Sequence, residues 1–154
     1  MHFLDEFQGH PDTEELAIAL TNKYRGHKII AYPDPTGKAR KSSAPVGRSD
    51  FSILESYGIV VCARTKSPPL VDSVAAVNKM LKTAAGVVSM YFAPHLTHTI
   101  ASMERTKWLD KNMDTATIDK SENIEHFSDG IRYATEYLFQ IEAAKIRSKR
   151  GFGF

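Results

Sequence analysis

The chain has 154 residues, 42% apolar and 25% charged, with a formal net charge of +2. That length suits one domain with its own core, and no apolar run approaches the ~20 residues a membrane-spanning helix needs. A single cysteine, Cys62, excludes an internal disulfide and sits in the apolar run IVVCA, where a buried, inert thiol is expected.

The opening MHFLDEFQGH has neither the basic flank nor the long apolar core of a signal peptide, so a cytoplasmic setting is expected. Residues 2–7 read as a short strand. Asp12 then has the character of a helix N-cap, with Glu15 completing a capping-box pattern. Leu16, Leu20 and Tyr24 recur at helical spacing until Gly26. Lys28 to Tyr32 forms an apolar strand expected to be buried on both faces. Asp50 reads as the cap of a short helix, FSILESY, and IVVCA as a second buried strand. Pro68 and Pro69 open a helix closed by Gly86, VVSMYF is a further strand, and Pro94 starts a helix to about Arg105. Thr106 to Asn123 is polar, with a turn signal at Asp110 to Asn112, and reads as a hairpin or mobile loop. The last helix is expected over Ile124 to Ile141, with Ile131, Ala134, Tyr137, Leu138 and Ile141 as its buried stripe. Strands and helices alternating in this way predict an α/β domain with a largely parallel sheet.

Three side chains carry candidate chemistry. Asp34 lies where a buried strand ends, the usual place for a site in an open α/β sheet, and Pro33 and Pro35 stiffen its backbone. Read alone, it also suits the start of a Pro-rich turn. His126 and Asp129 lie three apart in the first turns of the last helix, which predicts that they face the same way. The acid also suits the positive end of the helix dipole, and the histidine a packing or capping role. Asp5 and Glu6 fall on opposite faces of their strand, while Glu136 and Glu142 read as solvated. Lys38, Arg40, Lys41 and Arg48 crowd one loop, and Lys145, Arg147, Lys149 and Arg150 crowd the tail, as phosphate contacts or simply as solvated surface. The chain has no GxxxxGK[ST] loop, CxxC pair, HExxH or GxSxG.

The segments YPDPTGKARKSSAPVGRSDFSIL, PPLVDSVAAVNKML and IDKSENIEHFSDGIRYATEYLF, in this order, resemble the C-terminal nuclease domain of bacteriophage terminase large subunits. The resemblance covers residues 1–141 as a partial domain and leaves 142–154 as a flexible basic tail. It implies an RNase H-like mixed sheet flanked by helices, and a metal-dependent endonuclease that cuts double-stranded DNA during genome packaging. Mg²⁺ or Mn²⁺ would be the cofactor. Asp34 and Asp129 match two of the family's metal-binding acids, and His126 matches a histidine beside the metal in some members. Lys38, Arg40, Lys41 and Arg48 would approach the DNA backbone, and the hairpin region would border the cleft. Portal and terminase small subunit are implied partners, and the cytoplasm of an infected bacterium is the implied location.

One departure matters. The family's domain begins with two strands that have no counterpart here, and the first normally bears the first catalytic acid. The absent pair would lie between HFLDEF and the strand ending at Asp34, so the domain is expected to be N-terminally truncated. The expectations are a fragment of a longer terminase, completion by an upstream terminase segment, or recruitment of Asp5 or Glu6 as a third ligand. Another RNase H-like nuclease, such as a resolvase, and a non-catalytic DNA-binding or assembly remnant are the alternatives.

Overall fold

Asp12 opens the first helix by accepting the Glu15 amide at 2.9 Å, and in the computed structural model, which describes residues 1–39, 48–110 and 116–139, that helix is α1, Thr13–Lys23. It follows β1, His2–Phe3. The chain continues through β2 (Ile30–Ala31), α2 (Asp50–Ser56), β3 (Val60–Val61), α3 (Leu70–Leu81) and β4 (Tyr91–Phe92). After α4 (Thr97–Arg105) come β5 (Trp108–Asp110), β6 (Thr117–Ile118) and α5 (His126–Leu138). The domain is therefore mixed α/β, as the alternating pattern predicts. No helix among the described residues is long and apolar enough to cross a membrane.

The strands are shorter than the apolar runs that announce them, and those described make three separate pairs. β1 runs parallel to β4 and β2 parallel to β3, while β5 and β6 are antiparallel. The polar segment after α4 thus forms the hairpin, with a register shift between Trp108 and Asp110. β1 and β2 lie in different pairs.

Two apolar cores result. Ala17 of α1, Leu54 of α2 and Ile59 close the first, with Leu20, Ile29, Ala31 and Val61 against them. Val77 of α3, Met90 and Ile131 of α5 close the second, with Phe3 and Phe92 stacked at 4.8 Å between register partners. Burial of both strand faces does not hold. Successive strand side chains point to opposite sides, and only one side is covered by helices. Ala31 and Val61 face the first core, while their neighbours Ile30 and Val60, paired in register, are 41% and 42% exposed. Tyr91 is likewise exposed on the second pair, stacked on His2.

Some boundaries differ from the pattern. Ser49, not Asp50, caps α2 in a reciprocal capping box with Ser52, and Asp50 instead accepts the Thr13 hydroxyl at 2.8 Å. α3 stops at Leu81, before Gly86, and α4 starts at Thr97, three residues after Pro94. On α5, Ile131, Arg132 and Thr135 are buried, whereas Leu138 is exposed and Ile141 lies outside the described residues. Cys62 is half-buried, not buried.

Candidate functional site

Asp34 is held from two directions. Its backbone is extended before Pro35 (φ −55°, ψ 129°), as the following proline demands, and the chain then tightens into a 3₁₀ turn, Pro35–Lys38. Oδ1 accepts the Thr36 amide at 2.9 Å, and the Asp34 carbonyl accepts the Gly37 amide at 3.0 Å. Gly37 is a close approach: a Cβ there would meet the Phe51 ring at 2.9 Å and force the ring to shift. Oδ2 accepts the Tyr133 hydroxyl of α5 at 2.7 Å. Asp34 thus is both the turn-former and a carboxylate presented to the last helix. Burial pushes its pKa up, but the bonds from Thr36 and Tyr133 and the charge of Arg132 outweigh this and leave it below the ordinary value. Tyr133 moves the other way, up to about 12, through burial and then through its bond to Asp34.

Asp129 sits in the first turn of α5, where an acid opposes the helix dipole. Its Oδ1 accepts from Arg132 Nη2 at 3.0 Å and Nε at 3.3 Å, and Lys120 Nζ lies 3.8 Å from Oδ2. Arg132 is buried, donates Nη1 to Ser73 Oγ of α3 at 3.0 Å, and stacks its guanidinium over the Tyr133 ring at 4.6 Å. A buried guanidinium needs such partners, since an unpaired one would carry a large desolvation cost. Asp34, Tyr133, Arg132, Asp129 and Ser73 form one bonded network. Beside it, Glu125 is 2% exposed with Oε1 3.6 Å from Lys120 Nζ, and its Oε2 has no hydrogen-bond partner.

His126 and Asp129 do not face the same space. Asp129 and Arg132 line a cavity of about 120 Å³ between α3 and α5. His126, with Nε2 3.1 Å from Asn123 Oδ1, lines an open cleft of about 800 Å³ with Glu6, His10, His98 and Phe127. The helical turn rotates residues three apart by enough to straddle the α5 ridge.

Neither acid of β1's extension is spare. Asp5 pairs with Lys23 and accepts the Tyr24 hydroxyl at 2.7 Å. Glu6 caps α4, accepting the Thr99 amide and hydroxyl at 2.8 Å each. Glu136 is not on a solvated face: both its oxygens meet Arg64, at 2.9 and 3.0 Å. Of the loop cations, Lys38 is exposed at the end of the 3₁₀ turn and Arg48 lies 3.7 Å from Glu14. Arg40, Lys41, Glu142 and the tail fall outside the described residues.

Sequence reasoning missed Arg132 and Tyr133. The available signal was the polar side of α5, where Ser128, Arg132 and Thr135 recur at three- and four-residue spacing on the buried side. Among the described residues no three His, Cys, Asp or Glu side chains are grouped so as to hold a metal ion. The donor set of the network is two carboxylates, hard oxygen ligands of the class Mg²⁺ takes, and Mg²⁺ commonly uses one or two of them and keeps its waters. Lys120, 64% exposed, meets Asp129 only at 3.8 Å, beyond hydrogen-bond distance. No protein-family model, curated protein or solved structure matches this chain.

Proposed function

We propose that the chain is the nuclease part of a phage DNA-packaging terminase large subunit, with an RNase H-like fold and a Mg²⁺- or Mn²⁺-dependent endonuclease activity on double-stranded DNA. The observation that carries this reading is the chain of contacts from Asp34 to Tyr133 by hydrogen bond, Tyr133 to Arg132 by ring stacking, and Arg132 to Asp129 by hydrogen bond, which sets the strand-end acid against α5, the helix that carries Asp129. A divalent cation held by Asp34 and Asp129 would activate water and stabilise the charge developing on the phosphodiester. The chain's own part is to place both carboxylates and to hold Asp34 ionised. Asp34 is ready for this, since its hydrogen bonds favour the charged form. Lys38 and Arg48, with Arg40 and Lys41, supply cations for the backbone. His126 belongs to the proposal as an auxiliary group on the neighbouring cleft.

The short, two-stranded parallel pairs support one partner in particular. Parallel pairs are ordinarily covered on both sides and embedded in larger sheets, and Ile30, Val60 and Tyr91 are open here. An upstream terminase segment would supply further strands and a further acid. Portal and small subunit are the remaining partners of this reading, in the cytoplasm of an infected cell.

A second reading, a DNA-binding or assembly remnant without catalysis, is favoured by Arg132 and Lys120 already neutralising Asp129. Supercoiled plasmid incubated with the chain and Mn²⁺ separates the two. Nicking that Asp34→Asn and Asp129→Asn each reduce by about a hundredfold or more is expected for a metal-ligand pair. A folded chain that never nicks, yet binds DNA with log affinity falling by ~0.9 per phosphate contact per log salt, is the remnant.

A further inference from the structure

Building on that endonuclease reading, we propose that Tyr133 is the positioning residue of the site, its hydroxyl tying the Asp34 carboxylate to α5, the helix that carries Asp129. Asp34 stands on a turn after a strand of only two residues. The Thr36 amide fixes one of its oxygens from within that turn. A carboxylate held at a single oxygen still pivots about its Cβ–Cγ bond. The second bond, from a residue 99 positions away, ties its plane to α5.

Tyr133 is itself immobilised. Its ring lies under the Arg132 guanidinium, and Arg132 is anchored at once to Asp129 and to buried Ser73. Asp129 and Tyr133 are four residues apart, which stacks them on one face of the helix. The spacing between loop acid and helix acid therefore passes through one phenol. The chemistry of the donor suits this task. Unlike the Arg132 guanidinium bonded to Asp129, a neutral hydroxyl orients the Asp34 carboxylate without adding a positive charge against it.

Tyr133→Phe keeps the ring under Arg132 and removes only the hydroxyl bond. The test is a Mn²⁺ titration of the full chain, following paramagnetic broadening of the Asp34 and Asp129 carboxyl ¹³C resonances, with thermal melts alongside. In Y133F the Mn²⁺ concentration that broadens Asp34 is expected to rise by roughly tenfold, the size of one charge-assisted hydrogen bond. One ion shared by both carboxylates broadens both, so the concentration for Asp129 should rise in step, and a Y133F melt close to the parent's separates this from loss of general stability. Nicking by the double variant with Asp34→Asn should be no slower than by Asp34→Asn alone. A Y133F chain that broadens both carboxyls as the parent does overturns the positioning role and leaves the endonuclease reading standing. A parent chain that shows no broadening at either overturns both. If Y133F does not fold, the Tyr133 Cζ resonance is compared between the parent and Asp34→Ala, which removes the acceptor, and an unmoved signal overturns the bond and the role.

Discussion

Glu136 and Arg64 meet through two nitrogen–oxygen contacts, and Arg64 also donates to the Glu136 carbonyl at 3.3 Å and lies 5.5 Å from the Tyr137 ring centre. Fork-shaped pairing of this kind gives direction as well as energy. The glutamate side chain is 14% exposed and the arginine 31%, so solvent screens the pair only in part. Arg64→Ala should lower unfolding free energy by about 1–2 kcal/mol, between an exposed pair and a fully desolvated one. Urea denaturation checks this, and a change below ~0.3 kcal/mol would mean that the contact is mere surface decoration. The pair also shows what single-residue reasoning cannot reach. Glu136 lies on a helix face that looks polar in sequence, and its partner is 72 positions away.

Among the elements, α5 carries the most. It closes the second core through Ile131, meets the β2 side through Tyr137 against Tyr32 at 5.2 Å, and holds both candidate acids. Gly130 is its weak point. Glycine inside a helix costs ~0.5–1 kcal/mol relative to alanine, and a Cβ at this position meets nothing within 4 Å. Gly130→Ala should therefore raise stability by about that amount and leave any activity that depends on Asp129 unaltered; a melt that moves downward would contradict the open space. The helix and the burial of Ile131 were legible from the apolar spacing, but the polar part of the buried face was not. Arg132 is interior because Ser73, on another helix, satisfies it, and periodicity rates an arginine as exterior. The start of α2 shows the same limit. Ser49 and Asp50 are adjacent and both suit a cap, and only the tertiary bond from Thr13 to Asp50 decides between them. Asp34 and Asp129 stand out as candidates at a strand end and a helix start, local features that equally suit a turn and a dipole partner; the network joining them is a product of tertiary packing.

For the whole molecule, hydrogen bonds to carboxylates set the acid limit, and burial of Tyr133 the alkaline one. Asp5 is lowered by Lys23 and then Tyr24. Glu6 is raised by burial but lowered overall by Thr99 and His98, and Asp34 is likewise lowered on balance. A carboxyl with a depressed folded pKa contributes stability above its unfolded value, and that stability is lost as pH falls through the folded one. The melting temperature should hold steady at neutral pH and fall as acid passes the ordinary values of 3.8 and 4.5. Tyr133 has the opposite sign. Its pKa is raised from 10.0 to about 12, so its share is complete below 10.0 and disappears as pH climbs towards 12. Melts followed by circular dichroism check both limbs, and a temperature unchanged from about pH 5 to pH 3 would remove the acid argument. The α/β class was visible in the alternation of apolar runs, whereas strand length was not, because an apolar run does not say how many of its residues find a ladder partner.

The pairing of β1 with β4 has a consequence for the order of events in synthesis. His2 meets Tyr91 and Phe3 meets Phe92, so the earlier strand leaves the ribosome long before its partner exists. At ~5–20 residues per second, the interval is roughly 5–20 s. α1, β2, α2 and β3 complete the first core within that time, since all its members lie in residues 17–61. Phe3 spends the same interval in solvent, available to a chaperone or to the β4 of a neighbouring nascent chain. Slower translation over residues 62–90 would lengthen that exposure without changing a single native contact.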